Sequence, residues 1–159
     1  MAFDSKAFRE ALGGFATGVA VATTAAGGER AGMTITSFNS VSLDPPLVLW
    51  SLARAARAVR LFEAAEFFSV SVLAEDQAAL SDRFARQGND KFAGLDLEQT
   101  PEGVPVLTGC VARFDCATWR HHDGGDHLIV VGEVIRFARW ERPPLVFAGG
   151  GYQRLMGQG

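Results

Sequence analysis

The sequence predicts a mainly β domain with a few short helices, on three observations. Runs of strand-forming residues recur along the chain; clusters of Gly, Pro and Asp separate them; and the stretches with helical periodicity are short. A chain of 159 residues suits one domain, residues 1–159, large enough to bury a real core, and it shows no repeat, low-complexity tract or linker. Apolar residues at 48% and charged residues at 21% are ordinary for a soluble protein. A net charge of −3 leaves no electrostatic footprint for nucleic acid. No apolar run reaches the length of a membrane span. The opening MAFDSKAFRE lacks a positive segment followed by an apolar core, so the cytoplasm is the expected compartment.

Taken in order, Asp4 or Ser5 caps a first helix running to about Gly13, with Phe8 and Leu12 four residues apart on one face. Residues 18–24 read as a strand, 25–29 as a hairpin loop, and Arg30 opens the returning strand. Asp44-Pro45-Pro46 removes two backbone donors and forces a turn ahead of the buried strand Leu47-Val48-Leu49-Trp50. The alanine-rich run after Leu52 reads as a helix that brings Arg54, Arg57 and Arg60 close together on its surface. Residues 66–73 alternate as a strand, and 77–87 form a second helix ended by Gly88. Asn89-Asp90-Lys91-Phe92 starts a short turn, in which Lys91 reads as an exposed lysine. Residues 94–108 read as loop. Residues 111–121 and 126–137 are long strands joined at Asp123-Gly124-Gly125, and residues 145–147 form the last strand. Cys110 and Cys116 fall in what reads as one strand, roughly 20 Å apart and beyond disulfide reach. They are expected to be reduced, small buried residues.

Residues 32–52, GMTITSFNSVSLDPPLVLWSL, carry the strongest pattern. Thr34, Thr36, Ser37, Ser40 and Ser42 place five hydroxyls in nine residues. In an extended chain Thr34, Thr36, Ser40 and Ser42 share a face with Phe38, while Met33, Ile35, Val41 and Leu43 point the other way. Ser37 and Asn39 interrupt the apolar row and predict a bend or bulge. Such a segment suits a half-exposed strand, since Thr favours strands. It also suits, as the second reading, a strand lining a flat heteroaromatic ligand, whose polar edge the hydroxyls and backbone would reach.

Other chemistries find little support. His121, His122 and His127 lie near Asp123 and Asp126, but His121 and His122 point to opposite faces of a strand and no second Cys/His group completes a zinc-like set. No metal is expected. There is no G-x-S-x-G elbow, Walker loop or G-x-G-x-x-G motif.

The 32–52 stretch resembles the signature of the short-chain flavin reductase family, the flavin reductase-like proteins of the FMN-binding split-barrel group. Asp90-Lys91-Phe92, Gly125-Asp126-His127 before a Val-rich strand, and Pro144-Leu145-Val146-Phe147 leading to Gly151-Tyr152 stand where such a protein has them. The likeness runs in order from about Phe8 to about Leu155. It implies an antiparallel Greek-key split β-barrel with short flanking helices, assembled as a homodimer. It further implies reduction of FMN or FAD by NADH or NADPH, with the reduced flavin released by diffusion to a separate monooxygenase. Two other readings stay open: a flavoprotein that retains FMN, as an electron carrier or acting on another substrate, and a non-catalytic flavin-binding module.

By the same resemblance the flavin is held by Thr34, Ile35, Thr36, Ser37, Ser40, Val41 and Ser42, by Ser51, Leu52 and Ala53 at the end of the next strand, and by Phe92. Backbone N–H groups of residues 34–42 would stabilise charge at the pyrimidine edge of the reduced ring. The loop after the strand holds the phosphate, with Arg57 and also Arg54 as candidate partners. Ala53, Ala55 and Ala56 stand there instead of the hydroxyl or Asn side chains of many relatives, which weakens the expected grip. Gly125, Asp126 and His127 flank the reactive face and receive nicotinamide, with His127 as the catalytic candidate. Tyr152 is expected to cover the site.

Overall fold

In the computed structural model, which describes residues 2–88 and 90–157, the chain forms three helices and twelve strands. In order these are α1 (Ser5–Gly13), β1 (Thr17–Gly18), β2 (Ala20–Ala26), β3 (Glu29–Ile35), β4 (Asn39–Leu43) and β5 (Pro46–Ala53). They continue as α2 (Val59–Ala64), β6 (Phe67–Val72), α3 (Ala78–Ala85), β7 (Leu97–Gln99) and β8 (Pro105–Leu107). The last are β9 (Ala112–Gly124), β10 (His127–Arg139), β11 (Val146–Ala148) and β12 (Gly151–Gln153).

Seven strands make one antiparallel sheet in the order β3-β2-β6-β9-β10-β5-β4. The non-sequential neighbours β2–β6 and β5–β10 give the Greek-key crossing. Ile35 on edge strand β3 packs in the same buried cluster as Trp50 and Leu52 on β5, Phe68 on β6, Cys116 on β9 and Val130 on β10. A flat sheet cannot bring its ends to one cluster, so the sheet curls around it. Residues 36–38 link the edge strands β3 and β4 without a ladder between them. This is a barrel split along that seam, as expected.

Trp50 is fully buried at the centre, edge-on to Phe62 at 4.9 Å and Phe68 at 6.0 Å. β2 is buried on both faces: Ala20 and Ala22 join this cluster, while Val21 joins a second one with Leu73, Phe84, Phe92 and Leu107. The second cluster fixes α3 and the 90–93 turn outside the curl. Asp115 is buried between strands, accepting from Ser69 Oγ at 2.8 Å and facing Arg113 Nε at 3.2 Å and Arg136 Nε at 3.4 Å. Paired on both sides, its charge is tolerated inside.

Several expectations need correction. Asp4 does cap α1, accepting from the N–H groups of Lys6 and Ala7, but α1 buries none of its residues. Helix α2 begins only at Val59, so Arg54 and Arg57 precede it and the three arginines do not share a helical face. Helix α3 stops at Ala85 with Arg86 as its cap, ahead of Gly88. The supposed loop 94–108 contains the β7–β8 hairpin, and Gly149-Gly150 turns β11 back into β12 with both glycines at positive φ. The bend predicted near Ser37 is present, but it separates the apolar row: Ile35 is buried whereas Val41 and Leu43 face outward. Cys110 precedes β9, apart from Cys116 in it. Both are unpaired and buried, and burial pushes their thiols up to about 11 and about 12.

At Gly132 on β10, a Cβ would stand 2.3 Å from Phe68 Cζ and 2.9 Å from Cys116 Cβ. Phe68 is locked in the core and cannot swing aside. Gly132→Ala should therefore destabilise the fold by about 1–3 kcal/mol, read as a lower denaturant midpoint with an unchanged slope.

Candidate active site

A cavity of about 480 Å³ opens beside β3. Its floor is Gly32, Met33 and Thr34. One wall is the 53–58 loop with Leu61; the other is formed by Phe84–Gly88 at the end of α3 and by Asp90, Lys91 and Phe92.

Gly32 makes the second wall possible. A Cβ there would lie 2.7 Å from Phe84 Cε1 and 3.1 Å from Phe92 Cζ, so only glycine lets the two rings close onto the strand. Phe84 and Phe92 meet edge to face at 5.1 Å, and Arg30 lies over the Phe92 ring at 4.8 Å. Arg30 also pairs with Asp90 at 3.0 Å. The Phe92 N–H and then Arg30 hold the Asp90 carboxyl below its ordinary range. Lys91 is half-buried rather than exposed, donating to the carbonyls of Phe84 at 2.9 Å and Gly32 at 3.2 Å. Burial lowers its pKa. Asn89, expected in this turn, lies outside the described residues.

The cavity is thus largely apolar inside, with the cations Arg30, Arg57, Arg86 and Lys91 outnumbering Glu29 and Asp90 along its lining. Arg57 and Arg86 both line it, and among the described residues neither has a carboxylate partner. The 53–58 loop adds Ala53, Ala55 and Ala56, methyl groups that leave its backbone accessible. A flat, largely apolar ring with an anionic tail fits this arrangement in size and polarity.

Of the residues read as cofactor contacts, Thr34, Ala53, Arg57 and Phe92 line this cavity. The Thr34 hydroxyl is already engaged, donating to the Ser81 carbonyl at 2.6 Å. Thr36 is exposed at the seam; Ser37 Oγ accepts from the Ser51 N–H at 2.9 Å, clasping the seam to β5. Ile35 and Leu52 are core residues, leaving only their backbone for a ligand. Ser40, Val41 and Ser42 sit on edge strand β4, away from the cavity lining. Tyr152 also stands apart, its hydroxyl donating to Asp82 Oδ1 at 2.6 Å and accepting from Ser81 Oγ at 2.8 Å on α3. Gly32, Phe84, Arg30, Arg86 and Lys91 were not expected here. A glycine inside a strand was the one available signal, since it marks a close approach by another group.

Gly125, Asp126 and His127 form the tip of the β9–β10 hairpin, with Gly125 at φ +76° in a two-residue turn one position later than expected. His127 is the cross-strand partner of Ala53, so its side chain emerges on the same face as a cavity-lining residue. Its Nδ1 lies 2.6 Å from Asp126 Oδ1, a contact that holds the Asp126 carboxyl below its ordinary range. Arg54, a phosphate candidate, is instead committed to this tip, with Nη2 2.6 Å from Asp123 Oδ1. No group of acidic, His or Cys side chains suited to a metal occurs among the described residues, and no helix described is long and apolar enough to cross a membrane.

Comparison with known proteins agrees with this geometry. The family model described as a flavin reductase like domain matches residues 12–156. The FMN reductase (NADH) SmoA of Agrobacterium fabrum is 49% identical over 155 residues, covering 98% of this chain and 88% of that protein. The monooxygenase reductase subunit HsaB of Rhodococcus jostii is 42% identical, covering 93% of this chain and 77% of its own length. The NADH:FAD oxidoreductase SgcE6 of Streptomyces globisporus superposes with a TM-score of 0.93 at 38% identity, over 100% of this chain and 99% of that one. With the split sheet, the apolar cavity and these matches along nearly its whole length, the chain belongs to the flavin reductase-like family.

Proposed function

We propose that this chain is an NAD(P)H-dependent flavin reductase that binds FMN or FAD in the cavity beside β3 and hands the reduced flavin to a separate monooxygenase. The observation that carries this reading is an apolar cavity whose lining holds more cations than carboxylates and whose lining residue Ala53 is the cross-strand partner of His127. When bound, the flavin supplies the chemistry, accepting a hydride from nicotinamide.

The protein's part is orientation and electrostatics. Phe84, Phe92 and Met33 cover an apolar ring face, and the backbone at residues 34–37 offers its polar groups to the ring edge. Arg57 and Arg86 neutralise the phosphate, Arg57 from a loop whose free N–H groups also suit an anion. Gly125 leaves room for a second planar group to approach. His127, steadied by Asp126, supplies a hydrogen bond to the nicotinamide carboxamide. With Ala53, Ala55 and Ala56 offering no hydroxyl, the phosphate is gripped by charge and backbone alone, which favours a flavin that exchanges over one that is retained.

We also read the molecule as a homodimer. Phe8 and Leu12 on α1, Val41 and Leu43 on β4, and Phe137 on β10 all expose apolar side chains, Leu43 to 95%, and such exposure is usual where a surface is covered by a partner. Buried unpaired cysteines suit the reducing cytoplasm.

The defining experiment is oxidation of NADH and of NADPH by the purified protein, followed by nicotinamide absorbance with FMN or FAD added. Turnover that saturates with flavin is expected; flavin binding without turnover would leave only a binding module. His127→Ala should raise the KM for the nucleotide about tenfold, the worth of one hydrogen bond, with flavin affinity little changed. Gly32→Val should push Phe84 and Phe92 into the cavity and weaken flavin binding at least about tenfold in a fluorescence titration, given that overpacking costs about 1–3 kcal/mol. Undiminished affinity would place the flavin elsewhere.

A further inference from the structure

Arg54 follows the last residue of β5 and stands between Ala53 and Ala55, both of which line the cavity. Its own side chain turns away from the cavity toward the β9–β10 hairpin. Its backbone N–H donates to the Asp126 carbonyl at 3.0 Å, extending the β5–β10 ladder one position beyond the His127–Ala53 pair. Its Nε donates to the Gly125 carbonyl at 3.0 Å, and its Nη2 to Asp123 Oδ1 at 2.6 Å. One residue therefore holds three of the four residues that precede His127.

Beyond the ladder that pairs Gly124 with His127 and Asp123 with Leu128, the tip has little packing to fix it against the rest of the fold. Asp123, Gly124, Gly125 and Asp126 are all exposed, and the two glycines contribute no packing. An isolated exposed ion pair is worth little. Here, however, the guanidinium fork spans a carbonyl and a carboxylate at once, and the adjoining amide adds a third bond. A lysine ammonium cannot reproduce that fork.

We propose that Arg54 is a positioning residue that straps the His127 hairpin to the cofactor-side loop, setting the spacing between the nicotinamide and flavin positions. The inference rests on the reading that residues 125–127 receive the nicotinamide. Its energetic consequence lies in alignment more than in stability, because a misplacement on the order of 1 Å at a reacting pair costs on the order of a hundredfold in rate.

The test uses the full-length variants Arg54→Met, Arg54→Lys and Asp123→Asn beside His127→Ala. The readouts are FMN affinity by fluorescence, KM and kcat for NADH, and hydrogen–deuterium exchange over residues 123–127. Arg54→Met should speed exchange at the tip, raise the NADH KM about tenfold by losing its hydrogen bonds, lower kcat, and leave FMN affinity within about twofold. Arg54→Lys should recover only part of the loss. Asp123→Asn, which spares both backbone bonds, should have a smaller effect than Arg54→Met. If FMN affinity falls in step with the NADH KM, Arg54 is a phosphate ligand and the strap is overturned. Unchanged tip exchange in Arg54→Met overturns it as well. If His127→Ala raises the NADH KM and Arg54→Met does not, the failure lies with Arg54. If neither raises it while the wild type turns over, the failure lies with the nicotinamide reading of the hairpin.

Discussion

The packing of six strands of the main sheet around Trp50 is the constraint on which the rest of the molecule depends. Trp50 is wholly enclosed, and its ring meets Phe62 from the α2 side and Phe68 from β6. Covering a side chain of that size draws Ile35 at one edge of the sheet and Val48 near the other into the same cluster. Without that curl, β3 and the loop after β5 would lie far apart along a flat sheet. With it, they form the floor and one wall of a single cavity. The hydrophobic term that stabilises the fold is therefore also what assembles the site.

A second layer of packing finishes it. Phe84 and Phe92 belong to the outer apolar cluster, yet they also present faces to the cavity, so the same rings serve stability and binding. Charges hold that wall in place. Lys91 spends its ammonium on the carbonyls of Phe84 and Gly32, and Arg30 is divided between Asp90 and the Phe92 ring. Among the described residues, the lining cations left without a carboxylate partner are Arg57 and Arg86, with Glu29 as the unpaired carboxylate. The site thus separates cations that build the wall from cations left to meet a ligand.

Most of the long strands, the capped first helix and the bend near Ser37 were legible because local rules decide them: alternation, an interrupted apolar row, Asp44-Pro45, and an N-cap aspartate. The split between β3 and β4 followed from the family resemblance, and the short β7–β8 hairpin was missed. The lysine at 91 was misread because burial is a tertiary property; nothing in Asp90-Lys91-Phe92 says that two carbonyls lie within reach of the ammonium. Arg54 and Arg57 looked alike in sequence, three residues apart. The chain separates them because the first still lies beside the end of β5 and is captured by the neighbouring hairpin, while the second faces the cavity. Val41 and Leu43 failed the alternation rule for a different reason. They sit on an edge strand, Val41 within a bulge and Leu43 just past it, where the chain has no layer left to cover them. The hydroxyl-rich segment was the right place to look, although the cavity floor begins two residues earlier, at a glycine with no side chain to attract notice.

The two cysteines acquire a meaning from the chemistry around them. Dihydroflavin set free in air reduces dioxygen to hydrogen peroxide, so a protein that releases it works beside a steady source of oxidant. Peroxide attacks thiolates far faster than thiols. Cys110 and Cys116 are shielded from solvent and held protonated by burial, so they offer it little. Among the described residues the most exposed sulfur is Met156, after the last strand and 94% accessible. Conversion to the sulfoxide there would disturb no packed side chain. The sulfurs on which the core depends are thus the ones least open to oxidant.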